Sequence, residues 1–305
     1  MNEDNRNLFP GEPPETPEPA PQSGEPAPLA TQPPMEGTPA AEQTFGPAKR
    51  ALPEDLRVPW DWMDVLLFGL FAIGATVLFG VLLALGLALL HVTPAQVQQS
   101  RGLWGVFNVA AQIVLDLGLL GYLALQMRLR FHSPFWRTIG WRPLETTTTP
   151  RALAYLTLVL GGFLVGIFTS VAEAAFPPKH ALPIQTVLQD PRTALLFMLT
   201  AVLVAPVVEE TFFRGYLYPV IARSLGIGPG VVITGMLFGL LHAIQLWGGW
   251  WQIALLVLVG IVFTFVRARS RTVLASYILH VSYNSLQVIA MLIGTHGLRH
   301  LPPLR

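Results

Sequence analysis

Two adjacent carboxylates and an arginine interrupt an otherwise apolar run, Val207-Val-Glu-Glu-Thr-Phe-Phe-Arg-Gly215. Ionisable groups are costly inside apolar helices, so those that occur there usually face a polar interior and carry function. On a helix, Glu210 and Arg214 lie four apart with the acid first, the better orientation for an ion pair. Glu209 projects about 100° away from Glu210 at 3.6 residues per turn. One glutamate can thus be neutralised while its neighbour stays free for chemistry. Two later apolar segments carry further polar groups: Phe238-Gly-Leu-Leu-His242 and His280-Val-Ser-Tyr-Asn284. His280 and Asn284 share one helix face.

Each group alone has a plain structural reading. Glu210–Arg214 is a buried pair, His242 a packing histidine, and His280 with Asn284 an interhelical hydrogen-bond clamp worth about 1 kcal/mol. Together they bring acid-base and hydrogen-bonding groups from three helices to similar depths. Counting at about 1.5 Å per residue, Glu209 and His242 fall near mid-membrane, and His280 counts shallower from the cytoplasmic side. Pro206 removes a backbone hydrogen bond beside the carboxylates and kinks the helix there.

These groups must be held by membrane helices. The chain has 305 residues, 52% hydrophobic and 12% charged, with mean hydropathy +0.52. Soluble domains average about 25% charged residues. The net charge of +1 and the lack of a basic, aromatic-interleaved segment give no nucleic-acid partner. No cysteine is present, which excludes disulfides and thiolate chemistry.

The expected fold is all-α, a polytopic transmembrane bundle of about seven to eight helices with a disordered, Pro-rich tail. Residues 1–59 are rich in Pro, Glu, Ala, Gln and Thr and too poor in aliphatic clusters to offset the entropy of ordering. Residues 60–305 form the membrane domain. Its spans are read at about 63–90, 103–125, 152–175, 194–221, 230–246, 251–266 and 273–294. Asn108, Gln112 and Asp116 make one stripe on the second span and are expected either to line the cavity or, as the favoured reading, to bond a neighbouring helix. Arginines crowd the loops after the second and sixth spans and precede the first. By the positive-inside rule these lie in the cytoplasm, as does the N-terminus, and the membrane is read as the cell membrane. Phe131 to Trp141 is expected along the cytoplasmic interface.

Glu209-Glu210-x-x-x-Arg214, Phe238-x-x-x-His242 and His280-x-x-x-Asn284 resemble the three motifs of the CPBP (Abi) intramembrane proteases, which include the type II CAAX prenyl endopeptidases. The resemblance covers about residues 128–285 and implies a protease core over about 128–295. It implies an intramembrane endopeptidase acting on a membrane-associated protein or peptide, lipidated or cut near its C-terminus. It assigns Glu209 as general base with His242 holding the water, and His280 with Asn284 as the oxyanion site. Glu210 and Arg214 support them. A zinc site of Glu209, His242 and His280 is the alternative within the family, disfavoured because no HExxH ligand pair is present. Outside proteolysis, the alternatives are a non-catalytic scaffold or immunity-type protein with the same fold, and a transporter, which lacks support because no repeat is evident. No serine has a GxSxG context.

Overall fold

The structure is a computed structural model and describes residues 52–301. The expected tail falls mostly on residues 1–51, outside the described residues. A short 3-10 turn, Glu54–Leu56, leads into α1 (Trp62–Leu89). Next come α2 (Pro94–Gln99), α3 (Arg101–Leu129), α4 (Phe135–Ile139) and α5 (Arg151–Ala175). A short α6 (Pro183–Val187) precedes α7 (Pro191–Leu203), α8 (Ala205–Glu209), a π-helical segment (Glu210–Leu217) and α9 (Tyr218–Leu225). The chain then forms α10 (Ile227–Leu241), α11 (Trp250–Ser270) and α12 (Val273–Gly294).

All regular elements among the described residues are helical. Six stretches are long and apolar enough to cross a membrane: α1, α3, α5, residues 191–225 taken together, α11 and α12. Shorter α10 is the seventh apolar helix, at the position expected for the fifth span. The protein is an integral membrane protein. Leu66, Leu70, Ile73 and Val77 of α1 stay exposed, as side chains facing lipid do.

The ordered domain begins earlier than residue 60. Leu56 and Trp60 are 1% and 0% exposed, and Asp55 bonds Arg267 of α11 at 2.8 Å. The composition of residues 52–59 hid this, because one leucine, one carboxylate and the following tryptophan are enough to anchor a proline-rich strap. Trp60 stacks on Tyr216 with ring centroids 5.2 Å apart and donates its indole N–H to the Tyr216 carbonyl. Around this pair Phe68, Leu123, Met127, Ile139 and Val220 form a core that ties the base of α1 and α3 to the π segment. A polar chain runs beside it: Arg130 pairs with Asp64, Gln126 donates to Asp64, and Tyr216 donates to Gln126.

The second span differs from expectation at its polar stripe. Gln112 donates to Asp116 at 2.7 Å and Asn108 donates to the Trp104 carbonyl. Residues four apart on one face satisfy each other, so no neighbouring helix is needed.

Close helix packing frames the site. At Gly235 and Gly239 of α10, a Cβ would collide with the backbone of Ile261 and Val257 in α11, and one at Gly260 would meet the Gly235 carbonyl at 2.6 Å. Small residues let the two backbones approach, the usual device where both helices are apolar. Gly162 and Gly166 do the same for α5 against α12.

Candidate active site

The span carrying Glu209 is broken, not kinked once. Proline has no N–H, so Pro206 and Pro219 each deprive the preceding turn of a donor. Between them the backbone runs as α8 and then as the wider π helix. π segments occur frequently at functional sites. Here the change of winding begins at Glu210, immediately after Glu209.

Arg214 is fully buried and every part of its guanidinium is engaged. Nη1 donates to Glu210 Oε1 at 3.0 Å, Nη2 to the Gly260 carbonyl at 2.9 Å, and Nε to Thr264 Oγ1 at 3.2 Å. Its charge lies 4.4 Å from the centroid of the Phe238 ring. Glu210, equally buried, receives a second donor: His280 Nδ1–H at 2.9 Å. A buried ion pair costs desolvation that good geometry and extra hydrogen bonds offset; here both donors converge on Glu210 Oε1, and Oε2 is buried without a partner among the described residues.

Glu209 is placed differently. Its side chain is 22% exposed, and each oxygen faces a different imidazole. Oε1 lies 3.7 Å from His242 Nε2, and Oε2 lies 3.7 Å from His280 Nε2. The depth offset expected for His280 is therefore absent, because the broken helix brings Glu209 level with both rings. His242 Nδ1 lies 2.9 Å from the Phe238 carbonyl, which can only accept. Nδ1 thus carries a proton, and Nε2 faces Glu209. A separation of 3.7 Å is too long for a direct hydrogen bond. A water beside the pair can bond to both atoms.

Asn284 lies one turn beyond His280. Its Nδ2 donates to the Ala201 carbonyl at 2.7 Å, at the end of α7 where the helix breaks. The amide keeps a second N–H. Of the expected residues, Glu209, Glu210, Arg214, His242 and His280 form one connected cluster, and Asn284 braces α12 against α7.

Residues 191–286 match the family model of type II CAAX prenyl endopeptidase, Rce1-like. This segment is similar to an Rce1-like domain. It contains all six expected residues, and over this stretch the chain is similar to the CAAX-type proteases. No curated protein and no solved structure matches the chain.

The matched Rce1-like segment starts at Pro191, so the Phe131–Trp141 stretch lies outside it. That stretch nevertheless reaches the site. Trp141 donates its indole N–H to Thr211 Oγ1 at 3.0 Å and packs edge-on to Tyr277 at 5.1 Å. It links the residue after Glu210 to the turn before His280. Gly140, at φ 98°, turns the chain so that its carbonyl accepts the Val273 N–H at the start of α12. The signal for this staple was the Ile-Gly-Trp run itself, which reads equally well as an interfacial loop.

Sequence reasoning also missed Gly260 and Thr264, which hold Arg214. A glycine and a threonine four apart in an apolar helix are indistinguishable from packing residues until the arginine is in place. Glu209, His242 and His280, the ligands of the zinc alternative, face one another, with each imidazole Nε2 3.7 Å from a Glu209 oxygen. Among the described residues no three such side chains are grouped to hold a metal.

Proposed function

We propose that the Rce1-like domain is an intramembrane endopeptidase that hydrolyses a peptide bond in a membrane-associated protein, lipidated or cut near its C-terminus. The observation that carries this reading is Glu209, partly exposed among apolar helices, with one oxygen facing each of two imidazoles.

Glu209 acts as the general base. A water held by Glu209 Oε1 and His242 Nε2 gives one proton to Glu209, and its oxygen bonds to the substrate carbonyl carbon. The carbonyl π electrons move to oxygen. His280 stabilises that oxyanion from Nε2–H in its cationic form, with Nδ1–H held by Glu210, and the free N–H of Asn284 assists. Glu209 then passes its proton to the amide nitrogen, and the C–N bond breaks to leave an acid and an amine. Glu210 and Arg214 position His280 and hold the helix.

The membrane domain is taken as residues 60–305 with a protease core at about 128–295, preceded by a tail. The arginine-rich loops support a cytoplasmic N-terminus and a cell-membrane location.

The test compares membrane-protein termini in cells carrying the native chain or Glu209→Gln at equal abundance. New termini made only by the native chain are expected. Identical termini and identical phenotypes would instead leave a non-catalytic scaffold.

A further inference from the structure

A cavity of about 360 Å³ lies at the arginine-rich end of α11, and the proposed chemistry does not use it. Asp55 of the strap, Tyr218, Val231, Arg269 and Arg271 line it. The Asp55 side chain is 9% exposed. Its Oδ2 binds Arg267 at 2.8 Å, whereas its Oδ1 is buried without a partner among the described residues. A buried acceptor of this kind calls for a donor from outside the chain. Arg269 and Arg271 are both exposed on the cavity wall, and neither forms an ion pair among the described residues. The remaining wall is greasy: Ile227 and Phe265 are 47% and 54% exposed and line the same cavity.

The occupant must therefore supply three things: an anion for two guanidinium groups, a hydrogen-bond donor close to that anion, and apolar chains for Ile227 and Phe265. A phosphodiester suits arginine forks. A hydroxyl or ammonium a few bonds from the phosphate would reach Asp55 Oδ1, and acyl chains would run along the lipid-facing side. We propose that this cavity binds the headgroup of a glycerophospholipid, with phosphate between Arg269 and Arg271 and a headgroup hydroxyl or ammonium donating to Asp55. Such a lipid would hold the strap on α11, whose Gly260 and Thr264 grip Arg214 further along the same helix.

The test uses the full chain purified in detergent, with lipid retention read by native mass spectrometry and stability by the melting temperature. The probes are phosphatidylglycerol, phosphatidylethanolamine, phosphatidylcholine and glycerol 3-phosphate. Phosphatidylcholine carries the phosphate without a headgroup donor. The first two lipids are expected to be retained and to raise the melting temperature, with phosphatidylcholine at least tenfold weaker. Arg269→Gln with Arg271→Gln should weaken retention at least tenfold and leave the lipid-free melting temperature unchanged. Glu209→Gln should bind like the native chain, which separates this site from the proposed chemistry. Equal stabilisation by all three lipids, or no effect of the double substitution, would overturn the proposal. Binding of glycerol 3-phosphate as strong as that of the lipids would overturn the membrane as its source.

Discussion

Glu210 Oε1 accepts from both Arg214 and His280, while Glu209 keeps 22% of its side chain exposed. Substitutions at the two neighbours should therefore fail differently. Glu209→Gln keeps the shape and removes the base. Its melting temperature should match the native protein while peptide cleavage falls by about 10²–10⁴. Arg214→Met takes the guanidinium from buried Glu210 and leaves it only His280, a loss of roughly 3–5 kcal/mol that should appear directly as lowered thermal stability. If Arg214→Met melts like the native chain, the pair does not hold this helix.

The elements around the site act as braces. Gly215 in the π segment leaves room for α4: a Cβ there would strike Ile139 Cγ2 and lie 2.9 Å from the Ile139 carbonyl. Backbone cannot yield as a side-chain tip can, so Gly215→Ala should cost about 1–3 kcal/mol by overpacking, measured by thermal unfolding. Trp141→Phe tests the brace more gently. It removes the indole N–H given to Thr211 and keeps a ring against Tyr277. With Glu210 and His280 less firmly aligned, kcat should fall while KM changes little, as expected when an interaction matters mainly in the transition state. An unchanged kcat would reduce the staple to packing.

Across the whole molecule, stability depends on contacts distant in sequence from the chemistry. Asp190 caps α7, the helix that leads to the break, by accepting from the N–H groups of Arg192 and Thr193. The Thr193 backbone N–H, its hydroxyl and the neighbouring Arg192 hold the Asp190 carboxyl below its ordinary value. The folded value is thus lower than that of an unfolded aspartate, about 3.9. The cap's contribution is fully present above that range and is lost as pH falls through the folded value. Asp190→Ala should cost about 0.5–2 kcal/mol at neutral pH, and the gap in melting temperature should close in acid. A gap independent of pH would mean that the charge plays no part. The strap supplies a second test. Removing residues through Trp60 deletes the Asp55–Arg267 pair and the Trp60–Tyr216 stack and should lower it sharply.

The sequence alone determined the class of protein, most of its spans and the polar residues that the helices bring together. Apolar runs long enough for a bilayer must become helices, because no other open structure satisfies backbone polar groups in lipid. Charges inside such runs declare themselves by their cost. It also showed that Glu210 rather than Glu209 pairs with Arg214, since an i, i+4 contact is local. Relations between helices remained for the tertiary structure to decide. The level of His280 with Glu209 depends on a π segment bounded by two prolines. The grip of Gly260 and Thr264 on Arg214, and the reach of Trp141 to Thr211, depend on how glycines let helices approach. Side-chain periodicity reports which face of a helix is apolar. Depth, winding and partner are set only when the helices pack.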